Sequence, residues 1–125
     1  MSAQSNGLKP VKLPSEHQEQ AEVVKWFRRE YPGVRIFAIP NGGWRSKTTA
    51  LKLKVEGASP GVPDLCIPEW LLWVEMKRSK GGVVSPEQRD WLDYLNGIGH
   101  TAIVCAGADA AKDAIEKFYA DRVTY

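Results

Sequence analysis

Apolar residues along the chain repeat with two different periods. Val23, Val24 and Phe27, with Trp26 alongside, recur at the spacing of a helix with one buried face. Ser15 precedes them as an N-cap and acids occupy the first turn, so SEHQEQAEVVKWFRREY is predicted as a helix that stops before Pro32-Gly33. Followed back by one or two turns, the stripe reaches Gln20, Glu19 and Glu16, which puts an acid in line with the core. VRIFAIP reads as a short strand ending at Pro40, NGGWRSK as a glycine-rich basic loop, and TTALKLKVEG as a short helix closed by Gly57.

The turn-rich ASPGVP then leads into a hairpin, with strands 64–68 and 71–77 around Glu69-Trp70. KRSKGGVV follows as a flexible basic loop. Ser85 caps the next helix and Pro86 takes its first position, where a missing N–H costs nothing. That helix, PEQRDWLDYLNGIG, buries Trp91, Leu92 and Leu95 and ends at Asn96-Gly97; HTAIVCA is a strand and ADAAKDAIEKFYA a final amphipathic helix. The order α, β, short α, β, β, α, β, α predicts an α/β fold, a mixed sheet of about four strands flanked by helices. One domain is expected over residues 15–125, behind a loose polar arm at 1–14 that carries Pro10 and Pro14.

Composition narrows the class. The 125 residues are 26% charged and 43% hydrophobic, ordinary globular usage. No apolar run approaches the ~20 residues that span a bilayer, and MSAQSNGLKPVKLP lacks the apolar segment of a signal peptide, so no membrane association and a cytoplasmic location are expected. Cys66 and Cys105 sit in apolar runs as small hydrophobes, too few and too isolated for a zinc site or disulfide framework. The net charge of +2 hides a polarity: Lys25 to Lys54 holds eight Lys and Arg against Glu30 alone, whereas Ser85 to Tyr125 holds seven acids against four bases. A positive segment of that kind points to a polyanionic partner.

The hairpin carries the candidate chemistry. Pairing around Glu69-Trp70 sets Leu65 against Val74 and Ile67 against Leu72 on one face, and Asp64 directly across from Glu75 on the other. Glu-Trp is a poor two-residue turn, and a register shifted by a diagonal step also keeps both carboxylates on one face and at one end. Opposed side chains lie ~4.5–5.5 Å apart at Cβ, where like charges repel. Lys77, two residues past Glu75, shares that face and can compensate one carboxylate. Two acids with a backbone carbonyl also form a hard oxygen site suited to Mg²⁺. Taken singly, Glu-x-Lys is an ordinary solvated strand face and Pro-Asp an ordinary turn; their combination is what carries the signal.

Pro63-Asp64 followed by Glu75-Met76-Lys77 resembles the PD-(D/E)xK nuclease signature. With NGGWR, GASPGVPDL, WVEMKRSKGGVVSPEQ and the following W…L…G, the chain is similar from about Ser15 to Ile115 to the VRR-NUC domain of phage and bacterial proteins, related to Holliday-junction resolvases. The resemblance implies a restriction-endonuclease-like fold and a Mg²⁺- or Mn²⁺-dependent DNA endonuclease acting on branched or structured DNA. It further implies that Asp64, Glu75 and the Met76 carbonyl bind the metal and that Lys77 positions or helps deprotonate the attacking water. Gln88 would help organise the site, and an acid from the first helix would complete it: Glu16, because its spacing to Gln20 matches the family, with Glu19 the competitor. A homodimer, held by exposed apolar parts of the first helix or by the sheet edge, and a helicase or other replication or repair partner are the expected associations. A catalytically silent nucleic-acid-binding module on the same fold is the alternative.

The chemistry fits these residue types: a divalent cation polarises a phosphate and acidifies water, and a neighbouring lysine can share that role. Arg45 and Lys47, beside Asn41-Gly42-Gly43, are candidate phosphate contacts and Trp44 a candidate stacking residue; Arg78 and Lys80 could hold the substrate backbone. His17 and His100 read as incidental, and Trp73 and Trp91 as core.

Overall fold

A computed structural model describes residues 12–40 and 46–123. Helix α1 (Glu16–Glu30) opens with a reciprocal capping box, in which Ser15 Oγ accepts from the Gln18 N–H and Gln18 Oε1 accepts from the Ser15 N–H. It is followed by strand β1 (Phe37–Ala38), helix α2 (Lys47–Val55), strand β2 (Leu65–Ile67), strand β3 (Leu72–Lys77), helix α3 (Pro86–Gly97), strand β4 (Thr101–Ala106) and helix α4 (Ala108–Val123). The sheet runs β1-β2-β3-β4, antiparallel across its first two pairings and parallel between β3 and β4. The predicted element order and the four-stranded mixed sheet are both present.

The alternation of side chains along the almost wholly buried strand β3 divides the molecule. Leu72, Val74 and Met76 face a core completed by Val23 and Phe27 of α1 and by Ala111 and Ile115 of α4. On the opposite face Trp73 packs with Leu92 and Leu95 of α3 and Ala102 of β4. Glu75 and Lys77 share the face of Trp73, so the candidate chemistry lies on the α3 side of the sheet. His100 and Trp73 form a structural pair: their rings stack and the Trp73 indole N–H donates to His100 Nδ1 at 2.9 Å.

Several boundaries differ from the sequence expectation. VRIFAIP contributes only two paired residues, since β2 itself is short. The hairpin turn is a 3₁₀ turn over Pro68–Trp70 followed by Leu71 in the left-handed region, φ 51°, rather than a two-residue turn at Glu69-Trp70. Burial of Trp70 against Phe27 and Tyr31 offsets the roughly 1–2 kcal/mol that this φ costs a non-glycine residue. Helix α3 does end at Gly97, as expected, with Ile98 as its C-cap; the left-handed residue beyond it is Gly99, φ +96°. Lys47, expected in the basic loop, is the first residue of α2.

The two first-helix acids have separate places. Glu19 reaches across to α4, where its Oε1 accepts from the Ala108 N–H at 3.1 Å and satisfies a donor of the first turn. The adjoining Gly107, φ +94°, donates its N–H to Lys77 O at 2.8 Å, and a Cβ there would lie 3.2 Å from Glu19 Oε2. Glu16 is exposed and stands in the first turn of α1. Glu19→Ala is therefore expected to lower unfolding stability in urea by about 1 kcal/mol, the usual effect of losing a cap, while Glu16→Ala changes it by less than about 0.5 kcal/mol.

Candidate metal and catalytic site

The register of the β2–β3 hairpin assembles the site. Leu65 pairs with Val74, Cys66 with Trp73 and Ile67 with Leu72, which brings Asp64, just before β2, opposite Glu75 as predicted. Because β2 begins only at Leu65, the β3 backbone beyond Val74 has no strand partner on that side. The Asp64 side chain takes its place, with Oδ2 accepting from the Met76 N–H at 2.7 Å. In an antiparallel ladder a residue's N–H and C=O point the same way, so the Met76 carbonyl lies on this edge while the Met76 side chain is fully buried in the core.

Glu75 is 1% exposed and Lys77 8%, the two buried charged residues among the described residues. Lys77 Nζ lies 3.6 Å from Glu75 Oε2. Gln88 joins them from α3: its Oε1 accepts from Lys77 Nζ at 2.8 Å and its Nε2 donates to Glu75 Oε2 at 3.2 Å. The same Oε1 accepts from the Ser85 N–H at 2.9 Å, closing a second capping box. One amide side chain thus starts the helix and holds both charged groups. The S-x-x-Q spacing could have disclosed the capping half of that role.

Burial, the hydrogen bond to Asp64 and the charge of Asp64 raise the Glu75 carboxyl from its ordinary 4.5 to about 8, against the opposing pull of Lys77; Glu16 adds a smaller push in the same upward direction. By the strand register the two carboxyls face each other across the hairpin. Such a pair is short of positive charge, and its donors are hard oxygens, so Asp64, Glu75 and the Met76 carbonyl fit a divalent cation. Among the described residues no three His, Cys, Asp or Glu side chains converge tightly enough to hold a metal by themselves. Glu16 is within electrostatic reach of Glu75 but does not close the expected carboxylate triad, and Glu19 is engaged at α4.

Two glycines that the sequence left unremarked shape the site. Gly82, in the segment expected to be a flexible loop, lies on the Lys77 stem: a Cβ there would be 2.8 Å from Lys77 Cβ. Gly61, φ +90°, presses on the first turn of α3, where a Cβ would be 2.5 Å from the Glu87 carbonyl carbon and 2.8 Å from the Gln88 N. Neither role has a sequence signal beyond glycine itself. Arg78 and Lys80 are exposed just past β3, and Lys47 is exposed on α2. Trp44 and Arg45 lie outside the described residues. Trp91 is half-buried and its indole N–H donates to Ser59 Oγ at 3.1 Å. Cys66 and Cys105 are free and buried, their thiols pushed up to about 11 by burial.

Two outcomes follow from this geometry. Because the folded state holds the Glu75 proton more tightly than the unfolded chain does, the metal-free protein carries the associated stability in full below about 4.5. That stability is lost as pH rises through about 8. Thermal melts in EDTA should show this decline, Glu75→Gln should flatten it, and Mn²⁺ should stabilise the wild type more at pH 8 than at pH 6. Gly82→Ala, which displaces the Lys77 stem, should lower any metal-supported activity at least as much as it lowers stability, measured by turnover and melting on the same preparation.

The fold has counterparts among known proteins. A family model described as the VRR-NUC domain matches residues 9–109. A solved structure described as a VRR_NUC domain protein superposes with a TM-score of 0.73 at 25% identity, covering 86% of this chain and 90% of its own. Among curated proteins, UDP-glycosyltransferase 84A4 of Arabidopsis thaliana is 33% identical over 67 residues, 50% of this chain. The chain spans only 12% of that protein's length. With most of its length matched by the family model, and a fold neighbour of the same description, the chain belongs to the VRR-NUC domain family, a nuclease domain family of the restriction-endonuclease-like fold.

Proposed function

We propose that this domain is a divalent-cation-dependent endonuclease that hydrolyses DNA phosphodiester bonds. The observation that carries the reading is the convergence of Asp64, Glu75, Lys77 and Gln88 at one end of β3. Burying two carboxyls and a lysine together costs stability, and groups so placed cluster at functional sites.

Asp64, Glu75 and the Met76 carbonyl would hold Mg²⁺ or Mn²⁺, which supplies Lewis-acid polarisation of the phosphate and a more acidic water. Lys77, fixed by Gln88, points a cationic donor into the site; it positions the water for attack and balances negative charge as the phosphorane-like transition state forms. Gln88 keeps Lys77 and Glu75 in register by bonding to both. Glu16, at the start of α1, adds a carboxylate at the edge of the site. Arg78 and Lys80 lie where the strand leaves the site and are suited to phosphates flanking the cut.

Relationship to Holliday-junction resolvases favours branched or structured DNA, and two copies of the chain would address two strands. A helicase or another replication or repair protein in the cytoplasm is the fitting partner for such a nuclease. The test is cleavage of linear, nicked and four-way DNA with Mg²⁺ or Mn²⁺. Lys77→Ala is expected to lose roughly 10²–10⁴-fold in turnover, Gln88→Ala to lose less, and EDTA to abolish cutting. Cleavage that persists in EDTA or in Lys77→Ala overturns the mechanism. Salt-sensitive DNA binding without cleavage under every metal tested would favour the silent binding module instead.

A further inference from the structure

Helix α1 separates charge between its two flanks. Toward α4 it carries Glu19 and Glu22, which accept from the Ala108 N–H and from Lys112 Nζ. The groove on that side, of about 680 Å³, is lined by Glu19, Glu22 and Asp109, with Lys12 as its one base among the described residues. The opposite flank is different. His17, Gln20, Ala21, Val24 and Arg28 recur three and four residues apart, so they share one face, with Lys25 beside them. They line an open groove of about 460 Å³. Arg28 also lines the next groove, of about 690 Å³, which passes Arg35 and reaches Phe37 of β1. Among the described residues neither groove is lined by an acid.

The bases of this flank are available to a ligand. His17, Lys25, Arg28 and Arg35 are exposed, and among the described residues none of them forms an ion pair. Lys25 is within electrostatic reach of Glu22, but Lys112 already engages that carboxylate at 2.7 Å. Arg29, by contrast, is bonded to Glu30 at 3.1 Å. Arg28 donates from Nη2 to the Ile36 carbonyl at 3.4 Å, which holds its guanidinium where the two grooves meet.

The track begins near the site. Glu16, next to His17, is within electrostatic reach of Glu75. From His17 to Arg28 the helix rises roughly 16 Å at ~1.5 Å per residue, the length of about five base pairs at ~3.4 Å each. Other ways out of the site are acidic: Glu19, Glu22 and Asp109 line the groove toward α4, and Glu87 and Asp90 the one along α3. A phosphate backbone is repelled along both and attracted along the outer flank of α1. We infer that the DNA backbone on one side of the cut lies along this flank, with Lys25, Arg28 and Arg35 meeting successive phosphates and His17 standing nearest the site. The inference rests on the endonuclease reading above and adds to it the path of one substrate arm. His17, incidental in the sequence, heads that path, and Arg29, in the same basic run, has no part in it.

Binding of a labelled duplex and of a four-way junction to the full chain in EDTA, titrated over salt concentration, tests this. Each phosphate contact on duplex DNA adds ~0.9 to the slope of log affinity against log salt. Lys25→Gln/Arg28→Gln/Arg35→Gln should therefore lower the slope by roughly 2 to 3, to the same extent on unrelated DNA sequences. Because Arg28 also bonds β1, Lys25→Gln/Arg35→Gln is the second variant, expected to lower the slope by about 1.8, with circular dichroism and melting reporting its fold. Arg29→Gln, the same charge change on the same helix, should leave the slope as in the wild type. Trimming the duplex arm to fewer than about five base pairs from the cut mapped with Mn²⁺ should erase the difference between wild type and the triple variant. An unchanged slope in Lys25→Gln/Arg35→Gln, or an equal fall in Arg29→Gln, overturns the path, while cutting by the wild type leaves the endonuclease reading in place. The expected fall in a wild type that never cuts keeps the surface and overturns that reading alone. A wild type that neither binds nor cuts DNA overturns both.

Discussion

A carboxylate buried beside a second carboxylate is the constraint on which the rest of this structure depends. Glu75 is almost wholly removed from water, and Asp64 faces it across the hairpin. Such a pair is unfavourable in an ordinary core, where each acid would be replaced or solvated. It persists because three supports converge on it. The Met76 N–H holds Asp64, Gln88 holds Glu75, and Lys77 supplies one positive charge, itself held by Gln88. One lysine against two carboxyls leaves the site short of cations, and the raised Glu75 carboxyl expresses that shortage in the metal-free state. A proton and a divalent cation are alternative answers to the same deficit.

The fold can be understood as the means of holding those supports. Ending β2 at Leu65 leaves the β3 edge open for the Asp64 side chain and the Met76 carbonyl. The parallel β3–β4 pair requires a crossover, and the crossover helix α3 begins with the capping box that carries Gln88. Gly61 permits that helix to approach the loop before β2 closely, and Gly82 lets the chain fold over the Lys77 stem. On the other face, Glu19 ties α1 to α4 next to the Gly107 N–H that binds Lys77 O. Strand β3 is thus gripped at its end from both sides, by elements remote in sequence.

Much of this was legible before any coordinates. The alternation of the hairpin specified its register, because a one-residue slip would have turned Leu65, Ile67, Leu72 and Val74 out of the core. The carboxylate pairing followed from that register with no further information. Gln88 entered only through family resemblance, although Ser85-x-x-Gln88 states its capping role in the chain itself. What stayed hidden was contact between distant segments. Nothing local distinguishes Glu19 from Glu16, because both stand in the first turn of α1 and the partner that separates them is the Ala108 N–H, 89 residues away. Gly82 read as flexibility because a glycine pair in a polar loop gives no sign of the side chain beneath it. Leu71 was missed for a related reason: its left-handed backbone is tolerated only because Trp70 buries beside it.

The same reasoning explains why α2 gave the least away. Its sequence, KTTALKLKV, has enough helix-forming residues to be recognised, and Leu51 with Val55 supplies an apolar pair at helical spacing. An apolar pair normally indicates which side of a helix meets the core, and here both residues are exposed among the described residues. Local pattern reports that a face wants covering; it does not report by what.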